Sequence, residues 1–459
     1  MAATGTTLDE ARFDSLKASL RGNVLRPGDD SYDEARKVWN GNIDRRPALI
    51  ARCTGVADVI SAVNFARDNG LLVAVRGGAH NAAGHATCDS GIVIDLTPMK
   101  GIRVDPTRHT AHVQGGVTWA ELDRETQAFG LATTGGTVSN TGIAGLTLGG
   151  GEGWLMGKYG LSCDNLLAAD VVTADGRFVR ASAEENPDLY WGLRGGGGNF
   201  GVVTSFEFRL HSVGPLVLGG MVLHPLARAK EVLRFYREFA SGLPDAAEVF
   251  PILLTAPDGA PMAALLLGYN GPIEEGERVF APARQFGPPV ADLVQPMPYL
   301  ARQTMLDAGF ATHGVQRYWK SGFARGMSDE LIEVVVEGAA EFPTPMSAIA
   351  FFHMHGAAAR VPSDATAFAL RENQLDANVV AQWLDPAESE LPIAWVRQVW
   401  SRLEPLTTGT SYTNHLAGDD RPEKVRASYG TNYEKLVALK NKYDPTNLFR
   451  LNPNIRPSL

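Results

Sequence analysis

Residues 71–81 read LLVAVRGGAHN, an apolar run that passes straight into a glycine turn and ends on histidine and asparagine. Leu71–Val75 has the length and branching of a buried strand. The turn made by Arg76, Gly77, Gly78, Ala79, His80 and Asn81 therefore stands at a strand end. Two more glycine clusters follow in the same half of the chain, GIAGLTLGGGEGW at 142–154 and RGGGGNFGVV at 194–203. Glycine turns expose backbone N–H groups, and successive exposed N–H groups form nests for anions such as the pyrophosphate of a dinucleotide. One such cluster reads as a tight turn. Three of them, each beside a strand, point to a cofactor site. No GxGxxG opens a helix here and no GKS or GKT follows a glycine loop, so neither the Rossmann nor the P-loop solution is in use.

Outward from this stretch the first half alternates strands and helices. ALIARC, GIVIDL and TAHVQGG read as strands, VADVISAVNFARDNG and TWAELDRETQAFG as amphipathic helices ending at Gly70 and Gly130. AADVVTADGRFVRAS is a hairpin turning at Asp175-Gly176, and NFGVVTSFEFRLHSVGP is a further strand. Two N-terminal helices, LDEARFDSLKASL and SYDEARKVWNG, are expected on either side of PGDD. From Pro215 to Thr407 the glycine clusters disappear, and strand-like runs alternate with helices. That texture predicts a separate α+β unit, one antiparallel sheet with helices on one side. The last segment, with TSYTNHLAG and YDPTNLFRLNPNIRP, is too short to fold alone and is expected to pack on the first unit.

The chain has 459 residues, long enough for two or three packed units. Its net charge of −9, with no Lys/Arg patch, argues against a nucleic-acid partner. The 3 cysteines form no CxxC pair and suggest no disulfide framework. No stretch reaches the roughly 20 apolar residues of a membrane span, and the plain expectation is a soluble cytoplasmic protein. In FFHMHG, His353 and His355 share a strand face but lack a third ligand, so no metal is expected. Tyr318, Trp319 and Lys320, with Phe352 and Met354, are candidate walls of a substrate pocket.

The order RGGAHN, GGTVSNTGIAGLTLGGGEGWLMGKYGLSCDNL, ENPDLYWGLRGGGGNFGVVTSFEFRLH and YDPTNLFRLNPNIRP resembles the berberine bridge enzyme-like family of vanillyl-alcohol-oxidase-type FAD oxidoreductases. The likeness is dense from Trp39 to His211 and from Tyr412 to Pro457, and weak between. It implies a PCMH-type FAD-binding domain made of two α+β subdomains, residues 1–213 (core about 42–213) completed by 408–459. Residues 214–407 would form the inserted antiparallel-sheet substrate domain.

Within that resemblance His80 falls on the histidine that bonds the 8α-methyl of the isoalloxazine, and Ala79 replaces the more usual glycine. Val138 stands where many members carry a second, cysteinyl attachment, so a monocovalent 8α-histidyl FAD is implied, and Cys163 is not that cysteine. A single bond suggests a more enclosed site and smaller or flatter substrates. The resemblance also places Gly84, His85, Ser139, Gly142, Gly145, Leu148, Gly149, Gly150 and Gly153 on the cofactor. It adds Trp154, Tyr159, Gly160, Leu161 and Asn165, then Gly198, Asn199, Gly201, Val202 and Val203. Asn452 and Asn454 fall where an Asn-x-Asn pair meets the flavin's polar edge, which suits amides because it offers donors and acceptors. Thr141 faces the approach of O2, and a small residue there accompanies oxidase behaviour. The base comes from Tyr412-Thr413-Asn414-His415. Tyr412 and His415 are both candidates, and histidine departs from the aromatic residue usual at the fourth place. The implied reaction is hydride transfer from a small alcohol, phenol or amine to flavin N5, with O2 reoxidising the flavin to give H2O2. An oxygenase, a dehydrogenase and a non-catalytic sequestering flavoprotein stand as alternatives. Substrate identity and oligomeric state leave no trace in these residues.

Overall fold

A computed structural model describes residues 10–458. Leu49–Arg52, Ile92–Asp95 and Val73–Arg76 pair in parallel in that spatial order, and Asn23–Leu25 adds antiparallel at the edge. Both faces of this sheet are covered, as parallel pairing demands. Leu49, Ala51, Val73, Ile92 and Ile94 enter one core, while Ile50, Ala74 and Val93 enter another. The helix Val56–Asp68 covers the first face with Val59, Ala62, Val63 and Ala66, a stripe at helical spacing.

The second sheet is antiparallel, in the order Ile102–Asp105, Thr110–Gln114, Val202–Arg209, Leu166–Val172 and Phe178–Ser182. Each glycine cluster marks an element end. The first follows Val73–Arg76, the second opens the short helix Ile143–Gly149, and the third precedes Val202–Arg209.

The large sheet runs Ala291–Asp292, Leu216–Pro225, Pro261–Tyr269, Ala247–Thr255, Ala348–Met354, Gln374–Trp383 and Gln316–Ala324, antiparallel throughout, as the sequence predicted. Its strands look uniformly apolar in sequence yet sort strictly by alternation. Ala263, Leu265 and Leu267 pack under the helices Ala229–Ala240, Asp329–Ala340 and Glu390–Leu403, whereas Met262, Ala264 and Leu266 face the opposite way. The second face looks onto the glycine clusters, and the site lies there.

The C-terminal helix Tyr433–Tyr443 buries Leu436, Leu439 and Tyr443 in the core of the second sheet. Its Lys440 ammonium is fully buried and donates to Asn199 O (2.8 Å), Phe449 O (2.9 Å) and Asp444 Oδ2 (2.7 Å). All three of its donors are satisfied, which is what makes a buried lysine tolerable. It ties the third glycine cluster to the C-terminal tail.

One predicted element is cut short. SYDEARKVWNG forms only the single turn Tyr32–Ala35. Beyond it Asn40 gives its amide to Ala82 O (2.8 Å) and Arg317 O (3.1 Å), and Trp39 is drawn against His80. These tertiary contacts override local helical preference. The other N-terminal helix is seen as Glu10–Ser19, and the beginning of its predicted span lies outside the described residues. Among the described residues no helix is long and apolar enough to cross a membrane.

Candidate active site

A long cavity of about 300 Å³ runs between the two smaller sheets and the large one. Gly77, Gly78, Ala79, His80 and Asn81 line it from the first cluster, Gly142 and Gly145 from the second, and Gly197, Gly198 and Gly201 from the third. The first two clusters meet backbone to backbone. A Cβ on Gly78 would stand 2.2 Å from the Gly142 nitrogen, and one on Gly142 would stand 2.3 Å from the Gly78 nitrogen. No side chain fits at either place, so glycine there is a packing requirement.

Ala79 takes φ +56°, a left-handed conformation that costs an L-residue roughly 1–2 kcal/mol. Its methyl is buried against Val38, Ala86 and Ile43, which offsets about 0.8 kcal/mol. A glycine would also enlarge the entropy lost on folding by roughly 0.5–1 kcal/mol. These terms nearly cancel, so Ala79→Gly should shift stability by less than about 1 kcal/mol, read from urea unfolding.

His80 is held on two sides. Its Nε2 lies 3.1 Å from Asn140 Oδ1, and the orientation of that amide is set because Asn140 Nδ2 donates to Ala311 O at 2.6 Å. An amide oxygen only accepts, so Nε2 carries the proton and Nδ1 keeps the lone pair. One face of the ring stacks on Trp39, centroids 4.2 Å apart at 22°, and the Arg317 guanidinium sits 3.8 Å from the same indole's centroid. Burial, with the neighbouring His313 and Arg317 charges, pulls the His80 pKa down to about 3. The ring is neutral at any ordinary pH and nucleophilic at Nδ1.

A polar network stands on the large-sheet side of the cavity. His415 Nδ1 donates to Asp376 Oδ2 at 2.7 Å, and Asn378 Nδ2 donates to the same oxygen at 2.9 Å. Asn378 Oδ1 accepts from the Trp319 indole at 2.8 Å, and that indole stacks on His415 with centroids 4.9 Å apart. The carboxylate thus fixes the Nδ1–H tautomer of His415 and leaves Nε2 as an acceptor. Tyr412 is different. Its hydroxyl oxygen accepts from Gly151 N and from Asn414 Nδ2, each at 2.7 Å, and burial together with Glu152 pushes the phenol well above its usual pKa.

The profile of an FAD binding domain matches residues 47–182, and that of a berberine and berberine-like segment matches 411–456. An FAD-linked oxidoreductase of Dictyostelium discoideum is 34% identical over 96% of this chain and 95% of its own. The (R)-6-hydroxynicotine oxidase of Paenarthrobacter nicotinovorans is 32% identical over 96% of this chain and 97% of its own. The chain belongs to the berberine bridge enzyme-like family of FAD-linked oxidoreductases. The crystal structure of 6-hydroxy-D-nicotine oxidase from Arthrobacter nicotinovorans superposes with a TM-score of 0.88 at 30% identity, covering 96% of this chain and 99% of that one. The fold is thus the PCMH-type fold with its antiparallel-sheet unit.

The cavity of this berberine bridge enzyme-like protein fits FAD. It is lined by backbone from all three glycine clusters and by apolar side chains including Val73, Val75, Leu96 and Phe449. The Asn452 amide oxygen is buried on its wall without a protein partner, although Asn452 Nδ2 donates to Gly198 O at 3.2 Å. An acceptor so stranded needs a donor from whatever fills the cavity.

Of the residues expected at the cofactor, His85, Val138, Thr141, Leu148, Val203 and Asn452 are also on the wall, with Tyr412, Asn414, His415 and Phe352. Others stand behind it. Arg76 turns its guanidinium to Ala35 O. The Gly84 φ is +74°, with Ile43 against its Cα. Ser139 is taken by Asp307, with Oγ to Oδ2 at 2.5 Å. Gly149 abuts the Asn414 amide, Gly150 abuts Phe368 and Tyr412, and Gly153 abuts Gly135 O. Trp154 packs on Phe250, Tyr159 stacks on His211, and Asn165 Nδ2 bonds Tyr159 O and Leu161 O around Gly160. Asn199 laces the tail through Pro453 O and Ile455 N, Val202 is in the core under the first sheet, and Asn454 Oδ1 is buried off the wall.

Strand alternation corrects the expected substrate wall. Trp319 faces the cavity, so its neighbours Tyr318 and Lys320 point away, to Asp419 (2.6 and 2.7 Å) and Asp420. Met354 shares the face of Phe352 but lies deeper, in the core beneath the cavity. His353 bonds Asn373 (2.8 Å) and His355 lies 3.3 Å from Glu248, so Nε2 of each ring is engaged.

Trp39, Asn140, Glu152, Asp376 and Asn378 were not singled out from sequence. Asp376 and Asn378 had a readable signal: with Gln374 and Gln382 they put four polar residues on one face of the strand QLDANVVAQW, whose other face is apolar.

Proposed function

We propose that the protein is an oxidase holding FAD by one covalent bond, from His80 Nδ1 to the flavin's 8α carbon, and using His415 as the base. The carrying observation is that two of the three imidazoles on the cavity wall, His80 and His415, present opposite free nitrogens. His80 presents Nδ1, because Asn140 engages Nε2, and His415 presents Nε2, because Asp376 engages Nδ1. The first arrangement would suit a bond to the 8α carbon, which would lose a C–H proton and leave an electron pair on the flavin for O2 to take, and the second suits taking a proton from a substrate O–H or N–H. The raised phenol pKa makes Tyr412 the weaker candidate base, because burial and Glu152 outweigh the two N–H donors that act in the opposite direction. In this reading Tyr412 and Asn414 shape the loop 149–151, and Val138 provides no second attachment.

FAD, when bound, accepts a hydride at N5 and passes the electrons to O2 with formation of H2O2. The short side chain of Thr141, on the cavity wall, leaves that approach open. Residues 1–213 with 408–459 would bind the cofactor, and 214–407 would supply the substrate wall. Ile252, Leu306, Phe310, Phe352 and Trp319 make that wall apolar, with Asn378 and His415 as its polar points. This favours small, flat alcohols, phenols or amines. Relatives at the same fold act, by their names, on 6-hydroxynicotine and on chitooligosaccharides.

The test is anaerobic mixing with alcohols, sugars, cyclic amines and polyphenols, followed by air. An active class bleaches the flavin absorbance, and air restores it with stoichiometric H2O2. Bleaching without rapid recovery in air would overturn the oxidase reading in favour of a dehydrogenase. Asn140→Ala should lower the covalently bound fraction of flavin while leaving non-covalent FAD, read from flavin released on denaturation.

A further inference from the structure

Glu152 is the only charged residue between Gly142 and Gly157. It is 5% exposed, lines the cavity, and both of its carboxyl oxygens are buried without a hydrogen-bond partner. Asp376, fully buried, has its Oδ1 in the same condition. One oxygen of each and a ring nitrogen of His415 all lie within 4.8 Å of one another. Among the described residues no Lys or Arg pairs with either carboxyl group, and His415 is the ionisable partner of Asp376. The charges acting on Glu152 are those of Asp376 and Glu248, and the latter already faces His355 at 3.3 Å. A buried carboxyl group with both oxygens unpartnered, beside a second whose Oδ1 is also free, is costly unless a cation arrives. Trp319 and Phe352 stand beside His415, ring centroids 4.9 and 6.3 Å away, and aromatic rings favour an organic cation over a hydrated one.

We propose that Glu152 and Asp376 form a buried acidic seat for the ammonium nitrogen of an aryl-alkyl amine, and that this seat makes the enzyme select amines over neutral alcohols and phenols. The inference rests on reading this cavity as the substrate site of an FAD oxidase. Asp376 holds His415 through Oδ2 and offers its free Oδ1. Glu152 supplies negative charge when the cation enters. Burial and the two neighbouring carboxylates keep its pKa well above the ordinary range, so binding of a cation expels its proton. Asp376, Glu248, Tyr412 and His415 are the titratable groups around it. Because the ionised form takes the ligand, affinity for a cation should rise with pH, while affinity for a neutral ring should not.

The experiment is calorimetric titration of the FAD-loaded protein with benzyltrimethylammonium, a permanent cation with no N–H to lose, and with benzyl alcohol. The cation should bind about tenfold tighter or more, with a gap that widens as pH rises. Glu152→Gln, of nearly equal volume, should shrink the gap to about threefold or less. Glu152→Asp should retain it. Flavin absorbance and thermal midpoint report that each variant is folded and loaded. Equal binding of the two probes, no binding of the cation, or a preference that survives in Glu152→Gln overturns the proposal. So does Glu152-dependent binding of Mn2+ without any ammonium preference. The oxidase reading fails separately, through flavin that no substrate class reduces.

Discussion

Replacement of His80 by alanine should leave the protein with no covalent flavin, so that acid precipitation gives a colourless pellet and a yellow supernatant. Alanine removes the one nitrogen on the wall whose lone pair is free and whose ring is locked against both Trp39 and Asn140. His313 does not replace it, since its ring centroid is 6.5 Å away and it is not on the cavity wall. The backbone cradle does not depend on the imidazole, because Gly78 and Gly142 meet through main-chain atoms. FAD should therefore still bind, reversibly, and dialysis should deplete it. Val138→Ala removes no nucleophile and should keep its yellow pellet. A yellow pellet from His80→Ala would assign the bond to another residue.

The second large effect is on turnover. His415→Gln should slow flavin reduction by about 10²–10⁴-fold, the usual contribution of a positioned base. Glutamine keeps a similar length but accepts no proton, and covalent flavin content should stay that of the native protein. Asp376→Asn should also slow reduction, through His415, since an amide that donates to Nδ1 favours the wrong tautomer. Its readout is the rate of flavin reduction at saturating substrate, which a purely structural role would leave unchanged in folded, loaded protein. If Tyr412→Phe produced the larger loss and His415→Gln almost none, the base would be the phenol.

The cofactor half of the cavity was legible in sequence because its parts are local. Glycine clusters sit at strand ends, and each cluster is one continuous stretch. Even there, which loop residues touch the cavity was less legible. Ser139 and Asn165 lie in the right motifs but spend their polar atoms on Asp307 and on backbone carbonyls. A motif records what keeps a loop in shape as well as what meets the ligand. The substrate half depends on long-range pairing. Asp376 meets His415 across 39 positions, and Asn140 meets His80 across 60. Neither pairing has a local period. Of Tyr318, Trp319 and Lys320 only Trp319 faces the cavity, because strand alternation fixes two faces without saying which one is buried on the site.

The covalent bond is tested most directly on the native protein. After acid precipitation the pellet should stay yellow, and tryptic digestion should release Gly77–Lys100 carrying the mass of the flavin. That peptide also contains His85, which lines the cavity and whose pKa burial lowers to about 4. Fragmentation should place the added mass on His80. Complete release of flavin into the supernatant, or its mapping to His85, would contradict attachment through His80.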